Sequence, residues 1–242
     1  MTEQADVDKL FNKLYVDGRD EPFQPSDIPN NKLTTEDRKI GKSCNAVFRV
    51  KISDLIKGGP AKELAMKAIE DKNTTDEHLY KQEITILNKA RNCDEIVKFF
   101  GAAHIDKYYY IFMELMTMDL AKFLAYVPRK SKKGDDAFIQ DEDLLAHIAI
   151  SMTTGLNFLT NALNTVHSDI KPANVLINDD GHVKIADLGI AKIIPPERTD
   201  QSYVSKGHGI TFHYAAPERV AGGVTGSYRR RADVWSMGMT LV

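Results

Sequence analysis

Residues 167 to 174 read His-Ser-Asp-Ile-Lys-Pro-Ala-Asn, and residues 187 to 189 read Asp-Leu-Gly. Transfer of a phosphoryl group requires an acidic side chain that orients the attacking hydroxyl, a cation near the transferred phosphate, and oxygen ligands for magnesium. These requirements are met by Asp169, Lys171, Asn174 and Asp187. An ordinary polar turn after a helix would not need these residue types at these offsets. The two stretches therefore predict a phosphotransfer site.

The composition limits the class of protein. The chain has 242 residues, 27% of them charged, and a formal net charge of −2, so we expect no general affinity for nucleic acid or anionic membranes. Its two cysteines, Cys44 and Cys93, are too few for a disulfide scaffold and fit a reducing compartment. No signal peptide and no apolar run long enough to span a bilayer is visible. We therefore expect a soluble intracellular protein in the cytoplasm, with the nucleus left open as a second location.

Residues 1–38 are polar, and Pro22, Pro25 and Pro29 interrupt a stretch rich in Asp, Asn and Gln. This composition predicts a flexible leader that takes no part in a core. Within it, residues 9–15 mix basic and apolar side chains. That mixture fits a docking peptide or, as the favoured alternative, a short amphipathic turn.

Residues 39–116 are predicted to be rich in β-strands. Between residues 40 and 69 apolar and β-branched residues alternate with polar ones, and segments 47–52 and 64–69 are predicted to be strands. Residues 96–100 and 108–115 also have the character of strands. Residues 76–92 instead have helical spacing. The pattern of residues 117–242 is mainly helical, with helices predicted over 119–126 and 141–163. We therefore predict an α+β fold in which a β-rich domain precedes a helical one.

Two later segments extend the pattern. Residues 214–219 read Tyr-Ala-Ala-Pro-Glu-Arg, and residues 232–238 read Ala-Asp-Val-Trp-Ser-Met-Gly. Together with residues 167–174 and 187–189 they resemble the A-P-E segment, central helix, catalytic loop and metal-binding motif of protein kinases. The resemblance implies a protein-kinase-like bilobal fold, with residues 39–116 as the β-rich lobe and hinge, and it implies ATP and Mg²⁺ as cofactors.

The resemblance also implies roles for individual residues. Asp169 would be the catalytic carboxylate, Lys171 the lysine near the γ-phosphate, and Asp233 the residue that holds the backbone of the catalytic loop. The implied magnesium ligands are Asn174 and Asp187. The implied ATP-binding residues are Gly41, Ser43, Ala46, Lys67, Glu83, Met113, Glu114 and Met116. Among them Lys67 would form an ion pair with Glu83, and the backbone groups of Glu114 and Met116 would bind the adenine edge. The implied residues of the substrate loop are Thr211 and Glu218.

Three shorter strings narrow the resemblance. Residues 93–102, 113–116 and 214–219 resemble the MAP kinase kinases, in particular the stress-activated branch. Those enzymes phosphorylate both Thr and Tyr in the activation loop of a MAP kinase. The resemblance therefore implies a MAP kinase as protein substrate and an upstream kinase as activator. The implied phosphorylation sites are Ser202 and Ser205, with Thr199 and Tyr203 as neighbouring alternatives.

The glycine-rich loop departs from the kinase pattern. That loop uses glycine where backbone N–H groups approach the phosphates closely. Only Gly41 is retained here, while Ser43 and Ala46 fall at the other glycine positions unless Asn45 takes the last one. We expect weakened rather than abolished nucleotide binding.

Two further departures concern control and completeness. Ser168 stands where the family has an arginine that pairs with a phosphate on the activation loop, a contact that serine cannot make. The chain stops at Val242, inside the expected central helix, so we expect a C-terminally truncated kinase with an incomplete helical lobe. The alternative function is therefore a pseudokinase or truncated scaffold that binds partners with little or no catalysis.

Overall fold

A computed structural model describes most of the chain, namely residues 9–16, 19–22, 39–40, 46–55, 60–71, 74–126, 141–194, 203–204, 211–221, 227–228 and 230–242. The chain divides into two compact units. The first comprises Met1–Arg91 and Val97–Leu115, and the second comprises Asn92–Ile96 and Met116–Val242. The division at Leu115 lies close to the predicted end of the β-rich domain at residue 116.

The first unit contains a six-stranded antiparallel sheet and one long helix. Its elements are β1 (Lys13–Val16), β2 (Arg19–Pro22), β3 (Ala46–Lys51), β4 (Glu63–Glu70), α1 (Thr74–Lys89), β5 (Phe99–Ile105) and β6 (Tyr108–Glu114). The strand order is β2-β1-β5-β6-β4-β3. Both β4 and β6 are buried along most of their length because they lie in the interior of the sheet. Aliphatic and aromatic residues of β3, β4 and β6 contribute to the core, including Phe48, Val50, Leu64, Met66 and Phe112.

The prediction of a flexible leader over residues 1–38 is wrong where the structure describes β1 and β2 within it. Strand β1 pairs with β5, and the side chain of Leu14 is fully buried in the core. Asn12 N–H also donates to the carbonyl of Ala102 at 2.7 Å. The polar composition concealed this strand because its attachment depends on backbone hydrogen bonds and on one large apolar side chain. Residues 1–8, 17–18 and 23–38 lie outside the described residues.

Most strands and helices of the first unit fall where the pattern predicted them, with one exception. The strand expected over residues 96–100 begins at Phe99. Ile96 instead forms an isolated parallel bridge with Ile185, and both residues belong to the second unit. From the sequence of such a short apolar run, a continuous strand cannot be told from a segment in which the chain passes from one unit to the other.

The second unit combines helices with short strands. Its elements are β7 (Met118–Asp119), α2 (Leu120–Tyr126), α3 (Glu142–Asn157), β8 (Thr165–Val166), β9 (Val175–Ile177), β10 (Val183–Ile185), β11 (Lys192–Ile193), β12 (Tyr203–Val204), α4 (Pro217–Ala221), β13 (Ser227–Tyr228) and α5 (Arg230–Leu241). The strands form a three-stranded sheet, β10-β9-β7, and the pairs β11-β8 and β12-β13. Two 3₁₀ turns, Pro172–Asn174 and Phe212–Tyr214, lie in the segments that carry candidate site residues.

Helix α3 supports the three-stranded sheet. Asp141 caps its N-terminus by accepting a hydrogen bond from the N–H of Leu144 at 3.0 Å. Its buried face contains Ile148, Met152 and Leu156, and the helix packs against β10. The predicted helix over 141–163 changes type near its end, because Phe158–Ala162 form a π-helical turn. In the described parts of the chain, no helix has the length and apolar character that a membrane crossing requires.

Candidate active site

Lys67 and Glu83 form a buried ion pair within the first unit. Lys67 lies inside β4, and Glu83 lies on α1. The Nζ of Lys67 donates to both carboxylate oxygens of Glu83, at 2.8 and 3.0 Å, and both side chains are almost fully buried. Buried charges are tolerated only when they are paired and hydrogen-bonded. The pair therefore couples the position of α1 to the sheet and leaves a lysine ammonium with a defined orientation.

The Asp169 carboxylate, in the loop between β8 and β9, accepts hydrogen bonds at both of its oxygens. Thr211 Oγ1 donates to Asp169 Oδ1 at 2.8 Å. Lys171 Nζ donates to Asp169 Oδ2 at 2.6 Å, and Asn174 Nδ2 donates to the same oxygen at 3.0 Å. Lys171 also donates to Thr211 Oγ1 at 3.2 Å. Because the lysine bond is charge-assisted, it gives the carboxylate a fixed position as well as a neighbouring positive charge.

Asn174 connects this loop to the segment that precedes Asp187. Its Nδ2 donates to the backbone carbonyl of Asp169 at 2.7 Å, and its own backbone carbonyl accepts from the N–H of Ala186 at 2.9 Å. Asp187 lies two residues after the end of β10 and has a φ of +62°, a conformation that Asp tolerates better than most residues. The structure thus brings the backbone of Asn174 next to that of Ala186, the residue before Asp187. That Asn174 and Asp187 bind one metal ion stays a prediction.

The donor set of these two residues fits magnesium. Both side-chain hydrogen bonds from Asn174 to Asp169 are donated by its amide N–H group. The amide oxygen of Asn174 and the carboxylate of Asp187 are hard ligands. Among the described residues no cluster of three or more His, Cys, Asp or Glu could hold a metal ion by itself. Mg²⁺ suits such a sparse site, since it is usually bound by one or two carboxylates together with waters and substrate phosphates.

His167 joins the two motifs through its imidazole ring. The N–H of Asp169 donates to its Nδ1 at 3.2 Å, and its Nε2 lies 3.0 Å from the carbonyl of Ala186. Both contacts are satisfied by the tautomer that carries its proton on Nε2, an assignment that follows from the hydrogen-bond pattern. The ring is fully buried. Sequence patterns assigned no role to this residue beyond its place in the motif.

Asp233 of α5 holds the backbone of the same loop. Its Oδ2 accepts from the N–H of His167 at 2.6 Å and its Oδ1 from the N–H of Ser168 at 2.9 Å. This arrangement is the one that the kinase resemblance implied for Asp233. Burial raises the pKa of its carboxyl group, while His167, the two backbone N–H groups and Arg219 act in the opposite direction.

Ser168 and Arg219 complete the buried part of the site. Ser168 has a φ of +73° and is buried, with its Oγ 3.4 Å from the carbonyl of Val166. The Nη1 of Arg219, on α4, donates to the carbonyl of Ser168, and Arg219 is itself buried. No local sequence signal separates Arg219 from an exposed arginine on a short helix. The one available hint was a buried aspartate that needed a compensating charge.

The remaining predicted site residues lie as follows. Met113 and Glu114 end β6, and Met116 follows them; both methionines are buried. The N–H of Glu114 donates to the carbonyl of Lys98 at 2.9 Å, so a bound adenine would have to use other backbone groups here. Ala46 begins β3 opposite Ala68, and Glu218 lies in the first turn of α4. Gly41, Ser43, Ser202 and Ser205 lie outside the described residues.

The chain is similar in sequence to known proteins. Residues 40–242 match the family described as the protein kinase domain. Dual specificity mitogen-activated protein kinase kinase sek-1 of Caenorhabditis elegans is 31% identical over 225 residues, covering 87% of this chain and 62% of that relative. Protein kinase wis1 of Schizosaccharomyces pombe is 31% identical over 237 residues, covering 88% of this chain and 36% of that relative.

Dual specificity mitogen-activated protein kinase kinase hemipterous of Drosophila melanogaster is 29% identical over 231 residues, covering 95% of this chain and 18% of that relative. The chain thus spans between 18% and 62% of the length of these three curated relatives. The family match confirms the predicted protein-kinase-like α+β fold, and the family as a whole uses ATP and Mg²⁺. Because that match extends over residues 40–242, the chain belongs to the protein kinase family, in which it is similar to the dual-specificity MAP kinase kinases.

Proposed function

We propose that this chain is an ATP- and Mg²⁺-dependent protein kinase of the MAP kinase kinase type, which phosphorylates Thr and Tyr hydroxyls of a MAP kinase. The observation that carries the proposal is the Asp169 carboxylate, held at both oxygens by Thr211, Lys171 and Asn174. A carboxylate fixed in this way is suited to orient an attacking hydroxyl group.

Each residue of the loop has a separate part in the proposed transfer. Asp169 accepts a hydrogen bond from the substrate hydroxyl and takes up its proton as the new phosphorus–oxygen bond forms and the bond to the ADP oxygen breaks. Lys171, 2.6 Å from Asp169 Oδ2, places a positive charge beside the group that is transferred. Thr211 prevents the carboxylate from rotating because it holds the opposite oxygen.

The metal and nucleotide are assigned to neighbouring residues. Asn174 and Asp187 would hold Mg²⁺, which supplies neutralisation of phosphate charge when it is bound. Lys67 would contact the α- and β-phosphates. Glu83 holds the ammonium group of Lys67 in place, because Lys67 Nζ donates to Glu83 Oε1 at 2.8 Å. Met113, Glu114 and Met116 would contact the adenine, with the glycine-rich loop of Gly41, Ser43 and Ala46 over the phosphates.

Partners and location follow from the same relatives and from composition. We propose that an upstream kinase activates the protein through Ser202 or Ser205. Ser168 is buried, with its hydroxyl close to the carbonyl of Val166, so it is not placed to bind an activating phosphate. Two relatives bear names of dual-specificity MAP kinase kinases, which supports a MAP kinase as substrate and does not favour a pseudokinase or scaffold. The low cysteine content supports a cytoplasmic location, with the nucleus left open.

The direct test is phosphorylation of a catalytically inactive MAP kinase that has a Thr-x-Tyr activation loop, followed by mass spectrometry of the loop. The wild-type protein should place phosphate on both Thr and Tyr. Asp169→Asn should lower kcat by about 10²–10⁴-fold, because the side chain loses its ability to accept the hydroxyl proton. Asp180→Asn, a change at an exposed turn, is the matched control and should leave kcat within about twofold.

The possible outcomes separate the two levels of the proposal. Phosphate on a generic Ser/Thr protein but on neither loop residue would remove the MAP kinase kinase assignment and keep the kinase. No phosphate on any protein, including the chain itself, would overturn the kinase activity. Equal activity in wild type and Asp169→Asn would show that another group does the chemistry.

A further inference from the structure

Arg219 is a buried arginine whose contact lies in the catalytic loop. It belongs to the five-residue helix α4, 51 positions along the chain from its partner, and only 4% of its surface is exposed. Its Nη1 donates to the backbone carbonyl of Ser168. Burying a guanidinium is costly unless it is hydrogen-bonded and its charge is compensated. An arginine in this position therefore requires an explanation beyond attachment of a short helix.

The carbonyl of Ser168 belongs to the peptide group that also contains the N–H of Asp169. Because a peptide group is planar, a hydrogen bond to that carbonyl fixes the plane that leads into the Cα of Asp169. On the opposite edge of the same peptide group, the N–H of Asp169 donates to His167 Nδ1 at 3.2 Å. Arg219 thus acts one bond away from the backbone of the candidate catalytic carboxylate.

Ser168 needs such support because its backbone is strained. Its φ of +73° lies in the left-handed region, which an L-residue with a Cβ enters at a cost in energy. The N–H of Ser168 donates to Asp233 of α5, and its carbonyl accepts from Arg219 of α4. Both backbone polar groups of Ser168 are therefore hydrogen-bonded to helical residues. Strained backbone of this kind persists only where its surroundings over-determine it.

Arg219 shares its short segment with Thr211, which holds the Asp169 side chain. Thr211 Oγ1 donates to Asp169 Oδ1 at 2.8 Å, whereas Arg219 bonds to the residue just before Asp169. One segment of the chain, residues 211–219, therefore fixes Asp169 through its side chain at one end and through its backbone at the other. Arg219 also interacts electrostatically with Asp233 and lowers the pKa of its carboxyl group, against the larger effect of burial.

We propose that Arg219 is a positioning residue for phosphoryl transfer, which sets the orientation of the Asp169 carboxylate by holding the strained peptide between Ser168 and Asp169. The proposal rests on the kinase function proposed above. It assigns to α4 a part in the chemical step rather than in nucleotide binding. Loss of Arg219 should therefore lower kcat while the KM for ATP stays nearly constant.

The test compares Arg219→Gln, Arg219→Lys and the exposed control Arg231→Gln in steady-state assays on the inactive MAP kinase. Arg219→Gln should lower kcat by about 10- to 100-fold, because small displacements of a catalytic group are costly, with the KM for ATP within about twofold. Arg219→Lys keeps a charged donor for a single carbonyl, so it should recover most of kcat. Arg231→Gln should behave as wild type, since Arg231 is exposed on α5.

A second-site change distinguishes positioning from simple stabilisation of α4. Glycine adopts positive φ without strain, so Ser168→Gly should reduce the need for Arg219. Adding Ser168→Gly to Arg219→Gln should raise kcat by about fivefold over Arg219→Gln alone, the factor expected from removing strain at one residue. The same change would do nothing for a helix that is merely loosened.

Each outcome decides the matter. An inactive wild type overturns the kinase function and this proposal with it. An active wild type with unchanged kcat in Arg219→Gln overturns this proposal alone, as does a loss of kcat that neither Arg219→Lys nor Ser168→Gly restores. If Arg219→Gln does not fold, the double variant carries the measurement. Failure of both to fold, seen by urea denaturation, would make the role of Arg219 structural and overturn the proposal.

Discussion

Two non-glycine residues of the candidate site have left-handed backbone conformations, Ser168 with a φ of +73° and Asp187 with a φ of +62°. Such a conformation costs an L-residue roughly 1–2 kcal/mol, and less for Asp. At Ser168 the cost is met by hydrogen bonds with Asp233 and Arg219. Individual residues here thus have unfavourable geometry so that neighbouring functional groups can be held in place.

Asp233 should make stability depend on pH in a direction that its burial determines. Burial raises the pKa of its carboxyl group above the ordinary value of 3.8, against the influence of His167, the N–H of Ser168 and Arg219. The folded protein then holds this proton more tightly than the unfolded chain does. The contribution of Asp233 to the free energy of unfolding is therefore largest below pH 3.8 and decreases as pH rises through the raised pKa.

Urea denaturation of wild type and Asp233→Asn across this pH range checks the prediction. The variant cannot titrate at this position, so groups that do not interact with Asp233 cancel in the comparison. We expect the free energy of unfolding of wild type relative to the variant to decrease with rising pH and then to level off. A relative stability that increases with pH would mean that hydrogen bonds and Arg219 outweigh burial at this carboxylate.

Among the elements of the first unit, β1 has the closest steric requirement. It lies beside β5, where a Cβ on Gly101 would be 2.0 Å from the carbonyl oxygen of Lys13. Its neighbourhood also contains aromatic contacts, with the ring of Phe11 5.9 Å from that of Tyr109 and the ring of Tyr80, on α1, 5.3 Å from Tyr109. The segment that precedes β1 is thus linked through side chains to the helix that carries Glu83.

Gly101→Ala should therefore displace β1 from the sheet. We expect a loss of about 1–3 kcal/mol in the free energy of unfolding. The reason is that neither the carbonyl of Lys13 nor the backbone of Gly101 can move away without breaking the pairing of β1 with β5. Gly238→Ala is the matched control, because a Cβ there meets nothing within 4 Å on the exposed side of α5. It should stabilise by about 0.5–1 kcal/mol through helix propensity. Equal effects of the two changes in urea denaturation would contradict the steric requirement at Gly101.

The whole chain divides into two units, each with part of the candidate chemistry. The first contains the Lys67–Glu83 pair, and the second contains Asp169, Asn174 and Asp187. A ligand that binds the folded protein and not the unfolded chain raises its stability by an amount that depends on ligand concentration. Nucleotide binding is therefore measurable as a property of the entire molecule.

Mg²⁺-ATP at a hundred times its Kd should stabilise the protein by about 2.7 kcal/mol, which corresponds to a rise in Tm of about 5–10 °C for a chain of this size. Lys67→Met should abolish most of that rise because it removes the phosphate contact. Lys51→Met, at an exposed strand position, should retain it. The comparison uses the ligand-induced rise, since Lys67→Met also leaves Glu83 buried without this partner and lowers Tm itself. Absence of any rise in wild type would contradict nucleotide binding by this chain.

Local patterns were sufficient for much of the fold and for the main residues of the site. Strand-like and helical patterns of apolar residues predicted β3, β4, β6, α1 and α2 within a few residues. The offsets among Asp169, Lys171 and Asn174 predicted side chains that meet in the structure, because one short loop brings them together.

Contacts between residues far apart along the chain were not predictable in this way. The attachment of β1 depends on a backbone carbonyl that approaches the Cα of Gly101 closely. It depends also on the side chain of Leu14, which is fully buried. The support of Ser168 depends on Asp233, 65 positions away, whose role the resemblance to protein kinases had implied. It depends also on Arg219, 51 positions away, for which no role was predicted. Neither residue type signals burial in its own segment. The strained peptide beside Asp169 exists because packing brings two helices to it, and that packing is a property of the folded chain alone.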